Sequence, residues 1–334
     1  MGGNWRPDYD PKTVHAELSI IKNDMHCNAV NISGQDIGRV ARTAEDALNQ
    51  GLEVWLSATL WNRSPKDTME YTVRAAMAAQ KLQVRWPGRI VFSVGVELTL
   101  FMQGIVEGKG LMKRLRNFFA GARTEGEKRS KLLNDYLDSA TRATREVFAG
   151  PVACSSLIAE AVDWKKFDYV GVDHYWSERI KDRYVDMLKP LFSSGKPVVV
   201  TGFGFGKTSA PPIGVASTLG NVNHMSQFLH QLPVVGALFR PRLNVINERD
   251  ERAQAKRLVD TLSILDEAGV SGAFVSTFIF PLDPYSDVPR YDLDRESESL
   301  VRYYGKSKHG ATYPGMMWEP KESFRVVAEY YKSH

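Results

Sequence analysis

Short apolar, β-branched runs alternate along this chain with longer stretches whose apolar residues recur every three to four positions. The runs at 27–33, 53–58, 90–96, 151–157, 168–174, 197–203 and 272–279 predict strands. The clearest is Pro197-Val198-Val199-Val200-Thr201, whose consecutive β-branched residues suit a strand buried on both faces. Between the strands, Val14, Leu18, Ile21 and Met25 fall on one helical face, as do Leu258, Leu262, Leu265 and Ala268. Segments near 39–50, 66–84, 127–148, 181–193 and 321–332 also predict helices.

Strand–helix alternation implies parallel strands joined by crossover helices. No linker rich in Pro, Gly or Ser divides the chain, and no internal repeat is visible. The expectation is an α/β fold, a single (β/α)8 TIM barrel domain over residues 1–334. Such barrels run to about 250 residues, and insertions extend them. A doubly wound open sheet is the alternative. Residues 1–11, with Pro7 and Pro11, make a poor strand ahead of the helix at 12–25, so the first barrel strand is missing or degenerate. Long loops near 98–124 and 205–247 both follow strands. They therefore lie on the C-terminal face, where barrels of this kind build their sites.

Composition narrows the picture by exclusion. With 43% hydrophobic and 25% charged residues, the chain is not mostly disordered. Lys plus Arg is 43 and Asp plus Glu is 39, a net +4 that is too thin and scattered to argue for nucleic acid. No apolar run approaches the roughly 20 residues of a membrane span. The start, Met1-Gly2-Gly3-Asn4-Trp5-Arg6, lacks the apolar core of a signal peptide. Cys27 and Cys154 are too few for a disulfide framework or a Cys-based zinc site, and a reducing, cytoplasmic setting is the expectation.

Glu97 is the strongest candidate for chemistry. It closes the apolar run Val94-Gly95-Val96, so its carboxyl projects into a half-desolvated barrel mouth where it can serve as a general acid. A strand-end salt bridge is the competing reading. Asp173, His174 and Tyr175 are polar where the strand should still be buried, which predicts a hydrogen-bond network. Trp176 beside them offers a flat face suited to a sugar ring, or fills the core. Thr201-Gly202-Phe203-Gly204-Phe205-Gly206-Lys207-Thr208 resembles a phosphate loop only in part. Its first glycine position is Thr201, and Pro211-Pro212 stop the helix that should follow. Asp283, Asp287, Asp292 and Asp294 lack the spacing of a calcium loop and read as a solvated loop. No His-Glu-x-x-His or Gly-x-Ser-x-Gly motif is present.

Together these motifs resemble the retaining glycoside hydrolases of the large (β/α)8 superfamily, whose catalytic carboxylates follow strands four and seven. The likeness covers strands two to eight. Glu97 matches the acid/base, although Val96 stands where an Asn is usual. The nucleophile run is often Pro-Val-Val-Val-Thr-Glu-Phe-Gly. Here it is Pro197-Val198-Val199-Val200-Thr201-Gly202-Phe203-Gly204, with Gly202 at the nucleophile position. A retaining mechanism needs two carboxyl groups about 5 Å apart. The resemblance therefore implies a chain that is inactive or glycosynthase-like as written, with Gly202 engineered or natural. Less closely, Trp5-Arg6-Pro7-Asp8-Tyr9-Asp10-Pro11 and Glu97-Leu98-Thr99-Leu100-Phe101 are similar to bacterial barrel proteins labelled abortive-infection proteins, in which a first strand precedes this start.

By position in the superfamily, Tyr175 stands near the nucleophile, and His174 orients Tyr175 or a sugar hydroxyl. Asn31 replaces a frequent Arg. Trp61 and Trp176 supply subsite walls, and Phe278 or Phe280 floors the sugar site. The expected reaction is hydrolysis of a glycosidic bond, β in configuration, on a carbohydrate or glycoside, with no cofactor and no metal. The rival is a non-catalytic carbohydrate-binding or protein-interaction barrel. An aldolase or isomerase would want a strand-end Lys, and no strand shows one.

Overall fold

The computed structural model describes residues 6–121, 124–206, 221–223, 225–226, 230, 238–305 and 308–334. Seven strands form one parallel sheet in chain order: β1 (Ala29–Gly34), β2 (Glu53–Ala58), β3 (Ile90–Val96), β4 (Val152–Leu157), β5 (Val170–Asp173), β6 (Val198–Phe203) and β7 (Gly272–Val275). The sheet curls into a nearly closed TIM barrel with helices outside it. A short antiparallel pair, β8 (Val301–Tyr303) and β9 (Trp318–Pro320), follows.

Local chemistry starts the outer helices. In α1 (Pro11–Asn23) the Asp10 carboxylate accepts the Thr13 N–H at 2.9 Å, and Pro11 sits where its missing N–H costs nothing. Ser64 caps α3 (Pro65–Arg85) in the same way. α2 (Ile37–Asn49) and α3 turn small residues inward, among them Ala44, Ala47, Ala75, Ala76 and Ala79, so both helices lie close on the strands.

The expected helix at 181–193 does not form. A 3-10 turn at Lys181–Arg183 and one short turn, Lys189–Phe192, take its place. Pro190 lacks the N–H that a continuous helix would need there. The strand expected at 272–279 is also shorter, ending at Val275.

The lumen is plugged at its lower end. Trp55, Ala153 and Val199, from the alternate strands β2, β4 and β6, pack with Val91, Tyr169 and Phe274. Trp55 meets Tyr169 edge-on at 5.4 Å and Phe274 at 5.6 Å. Two residues further along each strand the lining turns polar. The Ser57 hydroxyl donates to Asn31 Oδ1 at 2.7 Å, Ser93 and Ser155 hydroxyls lie 3.4 Å apart, and the Thr201 hydroxyl donates to Asp173 Oδ1 at 2.6 Å. The period of two along a strand carries each lumen face from the apolar floor to this polar tier.

Among the described residues no strand joins β1 to β7. The seam between them opens on a cavity of about 790 Å³ lined by both edges, by α1 and by the C-terminal helix Glu322–Ser333. Every residue of β7 is half-buried, as befits a strand with one free edge. The gap lies at the start of the barrel, where Pro7 and Pro11 make a poor strand.

Candidate active site

Glu97 follows β3 directly and caps the short helix α4 (Leu98–Phe101). Its N–H donates to the Ser155 carbonyl at 2.8 Å, and its own carbonyl accepts from Leu100 and Phe101. Between those bonds the backbone is left-handed, with φ of 43°. A non-glycine residue in that region costs of order 1–3 kcal/mol, and such strain collects at functional positions. Here it turns the side chain across the mouth of the barrel.

The carboxyl meets three others there. Burial and the charges of Asp173, Glu160 and Glu298 push Glu97 well above the usual carboxylate range. Asp173 ends β5 and is 6% exposed. It accepts hydrogen bonds from Thr201 and from the Glu97 carboxyl, which partly offset burial and leave it at about 6. Within the pair the proton therefore sits more readily on Glu97 than on Asp173. Glu298 lies beyond β7. Burial raises it to about 8.

Glu160 has a structural task in the same place. Its carboxylate accepts from the Ser156 hydroxyl at 2.5 Å and from the N–H groups of Leu157 (2.7 Å) and Thr99 (3.1 Å). It therefore ties the turn after β4 to α4, two residues beyond Glu97. The connection after α4 is pinned by Arg114 of α5 (Leu111–Ala120). Its buried guanidinium donates to the Leu100 carbonyl, Asn62 Oδ1 and the Gly108 carbonyl.

Gly202 lies in β6, in register with Asp173 on β5. A Cβ placed on it would stand 3.0 Å from Asp173 Oδ1 and 3.4 Å from the Tyr175 hydroxyl. Tyr175 is half-buried, hydrogen-bonded with Ser276, and raised by burial and then by Glu298, Asp173 and Glu97. Gly204 allows a close approach. A Cβ there would meet the Ser276 carbonyl at 2.4 Å and Glu298 Oε2 at 2.8 Å.

The structure gathers Glu97, Gly202 and Tyr175 at the mouth. Asn31 lies lower, in the polar tier, donating to the Thr201 carbonyl at 3.5 Å. Trp61, just past β2, stacks on Phe101 of α4 at 4.2 Å and 13°, a flat wall on the Glu97 side. Trp176 is half-buried and tilts against Phe205 at 6.4 Å. Phe280, also half-buried, follows β7, whereas Phe278 turns outward onto Trp318 and Phe324.

His174 is not brought to the mouth. It is fully buried, stacks on Tyr184 at 3.9 Å, and pairs through Nε2 with the Tyr184 carbonyl. Next to Asp173 at the end of an extended strand, its side chain points to the opposite face and packs in the wall against Tyr184. Burial lowers its pKa accordingly.

Lys207 and Thr208 of the phosphate-loop-like run lie outside the described residues. The acidic run is no solvated loop at its end. Asp292 and Asp294 are buried and paired with Arg249, Arg295 and Lys321. Among the described residues no group of three or more His, Cys, Asp or Glu side chains could hold a metal ion. None of the described helices is long and apolar enough to cross a membrane. Both cysteines are free thiols.

Sequence reasoning named Asp173 only as a network member and missed Glu160 and Glu298. Glu298 had no local signal: it stands in Glu296-Ser297-Glu298-Ser299, well past the strand whose end it faces.

No protein-family model matches the chain, and no curated protein does. Solved structures are similar in fold. A GH113 β-1,4-mannanase is 13% identical with a TM-score of 0.59, covering 100% of this chain and 96% of its own. The GH113 β-mannanase AaManA from Alicyclobacillus acidocaldarius, in complex with ManMIm, is 15% identical with a TM-score of 0.56, covering 98% and 93%. The β-glucuronidase of Ruminococcus gnavus is 11% identical with a TM-score of 0.58, covering 98% of this chain and 47% of its own. The fold is thus that of glycoside hydrolase TIM barrels.

Proposed function

We propose that the chain is a glycoside hydrolase acting on a β-linked, electrically neutral carbohydrate, with Glu97 protonating the leaving oxygen. The observation that supports this best is the buried Glu97–Asp173 carboxyl pair, hydrogen-bonded in a barrel mouth, in which the proton favours Glu97. That division of charge suits an acid and an anion acting together on a glycosidic bond. The Trp61–Phe101 stack offers an apolar face for a pyranose ring. The fold agrees, since the similar structures are β-mannanases and β-glucuronidases.

Charge selects between those two kinds of substrate. The groups that bear on Glu97 are Asp173, Glu160 and Glu298, all acids. These groups offer a uronate carboxylate no counter-charge, whereas a neutral sugar needs none. Mannan-like substrates therefore fit better than glucuronides. Gly202 favours a second reading, a barrel that binds carbohydrate without cleaving it, because the superfamily's nucleophile position carries no carboxylate.

The test is hydrolysis of aryl β-mannosides, β-glucosides and β-glucuronides, with calorimetric binding of a neutral iminosugar measured in parallel. We expect turnover of a neutral glycoside, and a loss of about 10²–10⁴-fold in Glu97→Gln for substrates with poor leaving groups. Binding of the iminosugar with no turnover of any glycoside would favour the second reading.

A further inference from the structure

We infer that Asp173 has taken over the role of nucleophile, the catalytic carboxylate having moved one strand sideways from position 202. This rests on the glycosidase reading above. The two positions are cross-strand partners, Asp173 on β5 facing Gly202 on β6. Neighbouring strands are about 4.8 Å apart, so one strand of displacement stays within the reach of a side chain. The Asp173 carboxylate leans across that gap. Its Oδ1 is 3.0 Å from the point where a side chain at 202 would begin. The Tyr175 hydroxyl faces the same point at 3.4 Å. A side chain at 202 would press on Asp173, which would have to yield by a few tenths of an ångström, and glycine leaves it in place.

The neighbours suit the task. Thr201 holds Oδ1 at 2.6 Å and fixes the orientation of the carboxylate. Glu97 hydrogen-bonds it from the end of β3. The two carboxyl groups touch, far inside the roughly 6.5–9.5 Å of inverting pairs, and a bound sugar has to part them to the about 5 Å of retaining ones. Glu298 is the other candidate. It is raised to about 8 and lies over Gly204, so near neutral pH it is an acid more than an anion.

In the first step an Asp173 oxygen bonds to the anomeric carbon. The bond from that carbon to the leaving oxygen breaks, and its electron pair takes the proton of Glu97. In the second step water attacks the same carbon and gives a proton to the Glu97 carboxylate. The bond to Asp173 then breaks and returns the carboxylate. Two inversions give net retention, and no further reactant is needed.

The test uses the whole chain with 2,4-dinitrophenyl 2-deoxy-2-fluoro-β-D-mannoside and its β-glucoside. These trap the glycosyl–enzyme ester for peptide mapping by mass spectrometry. One fluoroglycosyl unit on Asp173 is the expected result. Asp173→Ala should lose about a thousandfold or more of the turnover of unfluorinated aryl glycosides. Azide should restore at least tenfold and yield the α-glycosyl azide, a product that a merely structural role for Asp173 would not give. A label on Glu298 would overturn the inference. So would a parent chain that is silent until azide is added, since that is the behaviour of a site with no nucleophile. A parent that binds a neutral iminosugar but gives neither turnover nor azide product would also overturn it while leaving the binding barrel standing. Absence of both binding and turnover would remove the glycosidase reading itself.

Discussion

Glu97 and Asp173 share a proton in unlike surroundings. Glu97 faces three acids, whereas Asp173 is met by two donors, the Thr201 hydroxyl and the Glu97 carboxyl. The proposed mechanism needs Asp173 ionised and Glu97 protonated. The rate should therefore rise as pH passes about 6, the value at which Asp173 loses its proton, and fall once Glu97 is deprotonated. A kcat/KM profile on an aryl β-mannoside checks this. The bell belongs to the pair, and Glu97→Gln should remove its alkaline limb. At this scale the sequence is only partly legible. Glu97 could be found because it ends an apolar run, and Gly202 because the run around it is otherwise intact. Asp173 gave no hint of its partner, because cross-strand register is set by the whole sheet and not by neighbours in sequence. His174 misled for a simpler reason: adjacent residues on a strand face opposite ways, and only one of the two can reach the mouth.

Strands were more readable than helices. Consecutive β-branched residues mark Val198–Phe203 because a central parallel strand is buried on both faces. The stretch 181–193 carries helical periodicity but also Pro190, and the missing N–H prevails. The glycines at strand ends were legible as turns and not as clearances. Gly204 shows the difference. Gly204→Ala would bring a methyl to 2.4 Å from the Ser276 carbonyl, which is backbone and cannot swing aside. We expect a loss of about 1–3 kcal/mol in denaturant unfolding. Turnover should fall with it, because Glu298 and the Tyr175–Ser276 bond move too.

For the whole molecule the plug of the lumen carries much of the stability. Trp55 is 6% exposed and touches both Tyr169 and Phe274. Trp55→Ala should cost about 3–5 kcal/mol, read from the denaturation midpoint at constant slope. The barrel itself was predictable from strand–helix alternation, and so was the weakness at its start. The floor was not, since its members come from separate strands and meet only once the sheet has curled.

The open seam gives that floor a second importance. A closed barrel resists widening because each strand is bonded on both sides, like a hoop. Here, among the described residues, the hoop is split between β7 and β1. Its ends are tied from within, by Trp55 against Phe274 and by Asn31 reaching the Thr201 carbonyl. Side chains act as the clasp. Glu97 follows β3 and Asp173 ends β5, two strands that flank β4 on the far side of the ring. A load on the split therefore falls on these side chains, while the two carboxyl groups stand across the ring from it.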